Sequence, residues 1–433
     1  MTCCEVTLNQ ILEARERRAA LQRSTLQEYG GPLLCFTLNL AGPIKRSPLS
    51  DFAFLAGERM IEAKGWAAKQ HIRLCQPTGC EAIYALGLPP EALKRAAVEL
   101  EEALPVGRLF DLDVIGPDGR KLPRPAPRAC LVCGGPAAPC ARSRAHGLAA
   151  VQEATRALLA EFAANTLAEA AQWALLEEVY LTPKPGLVDR RNAGAHRDMD
   201  LSAFVKSAAA LLPYFQAAVR LGLSEPACAA AMGALRQAGI QAEAAMLAAT
   251  GGVNTHRGLI YALGLLLCGM GQALGGNGEN YLLHARRLAN VGLPEALRKA
   301  KRAPQSHGER VYAQRGVLGA RGEAAAGFPT AARAQETLRD FRRVLPEEEA
   351  RLMALLTVMG ELTDTNLLHR GGEEGLRFVQ QEARHILSLP LGQRLNALCA
   401  FDDACIARNL SPGGSADMLA LALFLDKTEP YMP

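Results

Sequence analysis

The sequence predicts a two-domain protein in which an α/β or α+β domain, residues 1–150, precedes an almost all-α domain, residues 151–433. At 433 residues the chain exceeds the usual size of one domain, and 49% hydrophobic residues can supply a core to each part. Helical and strand-like patterns alternate in the first third, whereas Ala/Leu-rich segments with helical spacing fill the remainder. These observations predict the change of architecture near residue 150.

The first domain interleaves three helical patterns with four strand-like runs. The helices are predicted at about 9–29, 51–64 and 90–103, and the strands at Leu33–Leu40, His71–Cys75, Ala82–Leu86 and Gly107–Ile115. The segment Gly116–Gly147 is rich in proline and glycine, so it is predicted to be the exit loop of this domain.

The second domain is predicted to be helical because its apolar residues recur at helical spacing and strand candidates are nearly absent. The clearest helices are Val151–Val179, Leu201–Leu221, Pro226–Thr250, Gly258–Leu274 and Pro346–Glu361. Gly258–Leu274 is the most apolar, but it is short and carries four glycines and a glutamine. It is therefore predicted to be a buried helix and not a membrane span.

Charge and cysteine usage narrow the class of protein. A net charge of +4 and a pI near 8.4 are too mild to indicate nucleic-acid binding, which would need a concentrated basic stripe. The amphipathic N-terminus lacks the apolar core of a secretory signal. The twelve cysteines are scattered, which suits mostly buried thiols in a reducing compartment. We therefore expect a cytoplasmic protein without nucleic-acid or membrane partners.

The strand GRLFDLDVI contains two acids, Asp111 and Asp113, where a fully apolar strand would have none. Residues two apart on a strand project from the same face, and neighbouring carboxylates repel unless a cation intervenes. Mg²⁺ bound by such a pair and by substrate phosphates is one interpretation. An edge strand with solvated acids is the alternative.

Two basic segments favour the phosphate interpretation. Lys45 and Arg46 follow a glycine-containing turn directly after a predicted strand. From Gly119 to Gln152 there is no acid, while six cations occur at Arg120, Lys121, Arg124, Arg128, Arg142 and Arg144. Such a surface suits phosphates or an acidic partner, although a solvated loop would have the same composition.

Four potential zinc ligands lie in this basic segment. Cys130 and Cys133 have the spacing of a zinc knuckle, and Cys140 and His146 follow at a looser spacing than in common zinc fingers. A structural zinc and free thiols are both compatible with this pattern.

Five dense polar islands interrupt the helical domain where helices are predicted to end. They contain Asp, Glu, His, Arg and Gly together, which favours one site for phosphates and metal assembled from helix ends. Capping and loop solvation would explain any single island. The islands are 177–200, Gly252–Gly258, 306–323, Asp364–Gly372 and Ser411–Asp417.

Several of these motifs resemble known families. LTPKPGLVDRRNAGAHRDMD, GVNTHRG, SHGE, GARGEAAAGFP, DTNLLHRGG and SPGGSADML resemble triphosphoribosyl-dephospho-coenzyme A synthase of the citrate lyase maturation system, over about residues 155–430. LNLAGPIKRSP, GCEA, GRLFDLDVI and CLVCGGPAAPCARSRAH resemble apo-citrate lyase phosphoribosyl-dephospho-coenzyme A transferase, over about residues 1–150. The chain thus looks like a fusion of the two.

The resemblance implies two consecutive reactions and a nucleotidyltransferase-like first domain. The helical domain would make 2′-(5″-triphosphoribosyl)-3′-dephospho-CoA from ATP and 3′-dephospho-CoA with release of adenine. The first domain would then transfer phosphoribosyl-dephospho-CoA to a serine of the citrate lyase acyl carrier (gamma) subunit and release diphosphate.

The same resemblance suggests roles for the polar residues. Asp111 and Asp113 would hold Mg²⁺ on the triphosphate, with Lys45 and Arg46 offsetting its charge. In the helical domain, the candidates for the base are Glu178, Asp189 and Asp198; His196 or His307 would assist adenine departure; and Glu309 and Asp364 are further metal ligands. The expected substrate- or phosphate-binding residues are Lys184, Asn192, Asn254, His256, Arg257, Arg321, His369, Arg370, Gly413 and Gly414.

Two other functions would use the same residues. A metal-dependent phosphohydrolase acting on a nucleotide or ADP-ribose could replace the ribose hydroxyl by water. Alternatively, the first domain could be a zinc-stabilised module that docks a carrier protein without catalysis.

Overall fold

The structure, a computed structural model, describes residues 4–226, 229–276 and 278–432. It divides into two compact units. Residues 1–163, 274–278 and 431–433 form the first unit, and residues 164–273 and 279–430 form the second. The main division therefore falls between residues 163 and 164, further along the chain than the predicted boundary at 150.

The first unit is an antiparallel sheet with helices, as an α+β domain would have. The strands are β1 Leu33–Leu38, β2 Ala68–Gln76, β3 Gly79–Leu86 and β4 Phe110–Ile115, in the order β2-β3-β1-β4. The helices are α1 Leu8–Tyr29, α2 Pro48–Glu62, α3 Pro90–Glu102 and the short α4 Ala137–Ser143. The predicted helices and strands of this region are confirmed with small shifts at their ends.

Two predicted boundaries differ from the structure. β4 begins at Phe110 and not at Gly107, because Pro105–Arg108 forms a 3-10 turn before it. The segment Gly116–Gly147 is not a simple exit loop, since it contains α4.

The two faces of the sheet are covered by different helices. On one face Phe36 stacks on Phe54 of α2, with ring centroids 4.8 Å apart, and meets Phe110 edge-on at 5.1 Å. On the other face Cys35, Ile83 and Ile115 pack against apolar side chains of α1. Asp111 and Asp113 lie on this second face, opposite Thr37 and Cys35 of β1. Each face of the sheet is therefore covered by its own helix. Asp111 and Asp113 lie on the face covered by α1, outside its apolar part.

β4 is an edge strand whose outer backbone groups are bonded by side chains of α3. The Leu112 N–H donates to Glu101 Oε1 at 2.8 Å, and Lys94 Nζ donates to the Leu112 carbonyl at 3.2 Å. An exposed strand edge is a template for pairing with other chains. Here a buried carboxylate and ammonium occupy that edge and hold the Asp-bearing strand in place.

Two cysteines of the first unit form a pair that the sequence did not predict. Cys75 and Cys80 lie directly opposite each other in the β2-β3 ladder and form a disulfide. Among the other described cysteines outside the 130–140 cluster, Cys35, Cys268 and Cys405 are buried, whereas Cys4 is exposed and Cys399 is half-buried. The register of the hairpin brings the pair together, and register is not visible in cysteine spacing.

The second unit is helical throughout the residues that the structure describes. Its helices, with α5 beginning in the first unit, are α5 Leu148–Tyr180, α6 Leu201–Ser224, α7 Ala229–Ala249, α8 Arg257–Gly275, α9 Tyr281–Asn290, α10 Leu293–Arg302, α11 His307–Arg315, α12 Ala320–Ala326, α13 Pro329–Arg342, α14 Glu347–Glu361, α15 Thr365–Ser388, α16 Leu391–Ala407 and α17 Gly413–Thr428. The prediction of an almost all-α domain is confirmed; residues 227 and 228 of the predicted helix Pro226–Thr250 lie outside the described residues.

Helices α8 and α17 carry much of the core of this unit. α17 is buried continuously from Met418 to Leu425. α8 is the one described helix that is long and apolar enough to cross a membrane, but 83% of its most apolar window is buried. The prediction of a buried helix is therefore confirmed.

Helices α6 and α8 cross at glycines that allow their backbones to touch. A Cβ atom added at Gly222 would overlap the Cys268 carbonyl oxygen, and one added at Gly271 would overlap the Val219 carbonyl oxygen. Neither glycine has a positive φ, so close approach and not backbone conformation requires them.

We predict that Gly222→Ala destabilises the second unit by about 1–3 kcal/mol, because the added methyl group forces the two helices apart. Gly233→Ala is the matched control, since Gly233 lies on the exposed side of α7 with open space around it. Alanine there should stabilise by roughly 0.5–1 kcal/mol. Urea unfolding followed by far-UV circular dichroism measures both; equal effects of the two substitutions would contradict the close-approach explanation.

Candidate active sites

The first unit pairs its two strand acids with cations from the acid-free basic segment. Lys121 Nζ lies 2.5 Å from Asp113 Oδ2, and Arg128 lies 3.4 Å from Asp111 Oδ1. The carboxylate side chains are 40% exposed at Asp111 and 26% at Asp113, so solvent reaches both. The face thus presents two acids and two cations side by side, which is a suitable surface for a metal–polyphosphate complex.

Glu101 of α3 binds two arginines of the same basic segment. It is buried, and its carboxylate accepts from Arg124 and Arg128 in addition to the Leu112 N–H. Burial raises the pKa of Glu101, while these donors oppose that effect. Arg128 therefore bridges a buried acid and an accessible one.

Lys45 and Arg46 have protein partners of their own. The Arg46 guanidinium contacts both carboxylate oxygens of Asp51 at 3.0 Å, and Lys45 Nζ donates to the Leu40 carbonyl. Burial lowers the pKa of Lys45, and the nearby Arg15 lowers it further. Both cations are half-buried in the loop that follows β1.

The four predicted zinc ligands converge. One ligand atom from each of Cys130, Cys133, Cys140 and His146 lies within 4.8 Å of all the others. Backbone N–H groups of Cys133 and Val132 lower the pKa of the Cys130 thiol to about 6.

In the second unit, two acids organise the loop between α5 and α6. Asp189 accepts from the backbone N–H groups of Lys184, Arg191 and Asn192 at 2.7–3.1 Å. Asp402, which the sequence reasoning did not select, accepts from the Gly186 N–H at 2.9 Å and from Asn192 Nδ2 at 2.8 Å. Asp189 and Asn192 therefore hold the loop in shape, because their polar atoms are used within it.

Three carboxylates lie close together beneath this loop. Glu178 is buried and pairs with the buried ammonium of Lys184. Asp364 is buried and accepts from the Ser415 N–H at 2.8 Å and the Asn366 N–H at 2.8 Å. The half-buried Asp417 has its pKa raised well above the ordinary value by burial and by the charges of Asp364 and Glu178. Lys184 is the one cation bonded to this trio among the described residues.

Glycines allow two of these three carboxylates to approach the first turns of α8 and α17. A Cβ atom at Gly258, in the first turn of α8, would overlap the Asp417 carboxylate. A Cβ atom at Gly414, at the start of α17, would lie 3.0 Å from the carboxylate of Asp364, and Gly413 lies against Asn366. Helix N-termini attract negative charge, so these glycines let carboxylates approach two such termini.

His256 is buried next to this acidic group. Its Nδ1 atom lies 2.6 Å from Ser207 Oγ, and Nε2 has no hydrogen-bond partner among the described residues. Burial, and then the charge of Lys184, lowers the pKa of His256 to about 3. Its ring is therefore neutral at pH 7.

His196 and Arg370 join three of the polar islands. His196 Nε2 lies 2.8 Å from Ser411 Oγ, and Nδ1 lies 3.2 Å from the Arg370 guanidinium. Burial and the charge of Arg370 lower the pKa of His196 to about 4. Asp198, 3.9 Å from His196, has a side chain that is 67% exposed.

A cationic cluster lies at the surface of the same region. The exposed rings of His307 and His369 stack with centroids 4.0 Å apart. Burial and the charges of His369, Arg310, Arg370 and Arg257 lower the pKa of His307. Residues from three separate islands thus act on one imidazole.

Glu309, Arg321 and Asn254, which were predicted to bind metal or substrate, form hydrogen bonds with nearby residues. Glu309 forms the capping box of α11 with Ser306 and also binds Arg321 at 2.7 Å. Asn254 Oδ1 accepts from the Arg257 N–H at 3.1 Å at the start of α8. Both oxygens of Glu309 therefore already accept hydrogen bonds, one of them from the backbone before α11 and the other from Arg321.

The structure brings all five islands together at converging helix ends. Sequence reasoning quoted Asp417 within the fifth island but gave it no role, and it did not select Asp402 or Ser207. The available signal for Asp417 was an acid at the beginning of the apolar sequence MLALALFL. The burial that distinguishes it depends on tertiary packing.

We predict a specific pH dependence from His256. Because its folded pKa lies below its unfolded value of about 6.5, the neutral ring stabilises the fold fully above pH 6.5, and this contribution is lost as pH falls towards about 3. The stability advantage of the wild type over His256→Asn should shrink by about 1.4 kcal/mol per pH unit below pH 6.5. Urea unfolding at several pH values measures this difference; a constant difference from pH 7.5 to pH 4.5 would refute it.

Comparisons with known proteins place each unit in a family. A family model described as ATP:dephospho-CoA triphosphoribosyl transferase matches residues 164–432, and one described as apo-citrate lyase phosphoribosyl-dephospho-CoA transferase matches residues 6–162. Both descriptions name transferases, which favours that interpretation over the phosphohydrolase and the non-catalytic docking module.

Individual relatives agree with the family models. Protein CitXG of Haemophilus influenzae is 36% identical, over 97% of this chain and 96% of its own length. The 2-(5″-triphosphoribosyl)-3′-dephosphocoenzyme-A synthase of Haemophilus ducreyi is 40% identical over 68% of this chain and 98% of its own, and that of Klebsiella pneumoniae is 43% identical over 60% and 90%. The chain therefore belongs to the ATP:dephospho-CoA triphosphoribosyl transferase family, fused, as in CitXG, to an apo-citrate lyase phosphoribosyl-dephospho-CoA transferase.

Proposed function

We propose that the chain catalyses two consecutive transfers, one in each unit. In the second unit, the 2′-hydroxyl of 3′-dephospho-CoA attacks the ribose C1 of ATP; a carboxylate takes the hydroxyl proton, the bond to adenine breaks, and the departing adenine takes up a proton from water. In the first unit, a serine hydroxyl of the citrate lyase acyl carrier (gamma) subunit attacks the α-phosphate of that product, and diphosphate leaves. The family membership of each unit supports this order of chemistry.

The observation that carries the first reaction is the carboxylate trio Glu178, Asp364 and Asp417 around Lys184. Departure of adenine builds positive charge on the ribose, and enclosed carboxylates stabilise such charge more strongly than solvated ones. One ammonium does not balance three carboxylates, so the trio also fits Mg²⁺, which would supply charge neutralisation for the triphosphate.

Within the trio we assign Asp417 as the base. The negative charges of Glu178 and Asp364 would increase its affinity for a proton. Burial and the charges of Asp364 and Glu178 raise the pKa of Asp417, so its carboxylate holds a proton more firmly than a solvated one. Asp189 is a poorer base because backbone N–H groups occupy its oxygens. Asp198 is a poorer one because it lies in solvent.

The surface cluster of Arg257, Arg370, His307 and His369 is the proposed site for the triphosphate, and the two arginines supply its positive charge. These groups act on one another electrostatically, and the two rings are exposed. Arginine forks match phosphate oxygens. The lowered pKa values of His196 and His307 keep both rings neutral at pH 7, so we assign them hydrogen bonding to substrate and not transfer of a proton from an imidazolium.

For the second reaction we propose a nucleotidyltransferase-like centre on β4. Asp111 and Asp113 would hold Mg²⁺, and Lys121 and Arg128, now on these acids, would turn to the phosphates of the incoming substrate. Lys45 and Arg46 lie after β1 and would offset the remaining charge.

We predict that Asp111→Asn lowers transfer to the carrier protein by at least about 100-fold while adenine release from ATP continues. The amide keeps the shape of the side chain but removes the charge. Mass spectrometry of the carrier measures transfer, and chromatography of free adenine measures the first reaction. Loss of both activities in a folded variant would contradict separate centres.

We predict the opposite pattern for Asp417→Asn. Adenine release should fall by at least about 100-fold, whereas transfer from supplied triphosphoribosyl-dephospho-CoA should persist. Asp198→Asn is the matched control, because this acid is exposed and should cost less than about tenfold. If Asp198→Asn were the more damaging change, Asp417 would not be the base.

A further inference from the structure

Four metal-ligating side chains lie outside both proposed reaction centres, in the segment after β4. Three thiols and one imidazole meet with every ligand atom within 4.8 Å of the others, and the Sγ atoms of Cys133 and Cys140 are 3.6 Å apart. Three thiols and one imidazole are a donor set of structural zinc sites. We propose that Cys130, Cys133, Cys140 and His146 bind one Zn²⁺ and that the metal folds this segment.

The backbone of the segment is shaped to present these four atoms. The Cys130 N–H donates to the Gly135 carbonyl at 2.6 Å, and the Gly134 N–H donates to the Cys130 carbonyl at 3.1 Å, which closes a tight turn. Gly134 has φ +73°, where glycine is favoured. This turn brings Cys133 back beside Cys130, as in a zinc knuckle.

A second turn brings His146 to the cluster. Cys140 lies on α4, which ends at Arg144 in the left-handed conformation with φ 50°. The Ala145 N–H donates to the Cys140 carbonyl at 3.1 Å, so the chain reverses immediately before His146. The looser spacing of the second ligand pair is therefore accommodated by the end of α4.

An unsatisfied atom supports the metal independently. Nε2 of His146 is buried and has no hydrogen-bond partner within the described part of the chain. A buried ring nitrogen without a partner is unfavourable. Coordination to Zn²⁺ would use its lone pair and remove this cost.

The helix of this segment buries no side chain that could serve as an apolar core. α4 has seven residues, none of them buried. A helix of this length is unstable alone, and small folds without a core commonly depend on a metal. The surrounding charge also fits: Zn²⁺ with three thiolates carries one net negative charge, and Arg128, Arg142 and Arg144 lie nearby in sequence without any acid.

The metal would position Arg128 on the carboxylates of the first unit. Arg128 precedes Cys130 by two residues and contacts Glu101 and Asp111, while the Ala129 carbonyl accepts from Arg108. A folded zinc segment fixes the backbone of Arg128. This consequence rests on the proposed role of Asp111 in transfer to the carrier; the metal site itself does not.

The full-length protein, purified without chelators, tests the site. Elemental analysis should find about one zinc per chain in the wild type and in Cys399→Ser, which changes a free cysteine of the second unit. Cys133→Ser and His146→Ala should lose the metal, and His146→Cys should keep it because four thiolates also bind zinc. Zinc content well below one per chain in the wild type, or unchanged content in Cys133→Ser, would overturn the proposal.

Cobalt substitution reports on the ligands themselves. The Co²⁺ protein should show thiolate charge-transfer and tetrahedral d–d bands, with a stronger charge-transfer band in His146→Cys. Octahedral-type spectra of the Co²⁺-substituted wild type would exclude the four-ligand site. This result does not depend on whether any variant folds.

The positioning effect has its own readout. Chelation of zinc should increase the KM for triphosphoribosyl-dephospho-CoA in carrier transfer more than it lowers kcat, and adenine release should not change. Asp111→Asn should keep its zinc while losing transfer, so failure of the proposed function and failure of the metal site are distinguishable. An unchanged KM after zinc removal would overturn the positioning effect.

Discussion

Three carboxylates lie close together in the helical unit, where one buried ammonium group pairs with one of them, and the proposed site depends on this excess of acids. Glu178 is bonded to Lys184, whereas Asp364 and Asp417 approach the first turns of α17 and α8. Backbone N–H groups and helix termini reduce the cost of the buried charge but do not cancel it. In the proposed reaction, the remaining negative field would stabilise the sugar as its base departs.

The loop above this trio is fixed by acids that do not themselves face a substrate. Asp189 and Asp402 accept hydrogen bonds from the backbone and from Asn192, and they hold the loop between α5 and α6. Around it, Arg257 and Arg370 bring positive charge to the exposed pair His307 and His369. An acidic interior and a cationic surface are the polarity that a triphosphate attached to a reacting ribose requires.

The sequence predicted the fold to the extent that local periodicity encodes it. Alternation in FDLDVI gave the correct facing of Asp111 and Asp113, and apolar spacing predicted α5, α6 and α8. The 3-10 turn at Pro105–Arg108 and the Cys75–Cys80 pair were not predicted, because they depend on register and on packing against α3.

The sequence predicted which regions form the candidate sites, but not the role of each residue in them. The polar islands lay at helix ends, and the structure brings them together. However, a sequence does not show which acids meet: Asp189 uses its oxygens within one loop, while Asp417 meets Glu178 and Asp364 from a distant helix. Partners separated by more than 200 residues, such as Gly186 and Asp402, leave no local pattern.

The central claim is that one chain contains two chemically separate centres, one on the carboxylate trio and one on β4. A mixture of the Asp111→Asn and Asp417→Asn variants tests it most directly. With ATP, Mg²⁺, 3′-dephospho-CoA and the carrier protein, each variant alone should leave the carrier unmodified, and the mixture should add phosphoribosyl-dephospho-CoA to it, as seen by mass spectrometry. An unmodified carrier in a mixture where free triphosphoribosyl-dephospho-CoA accumulates would contradict the account.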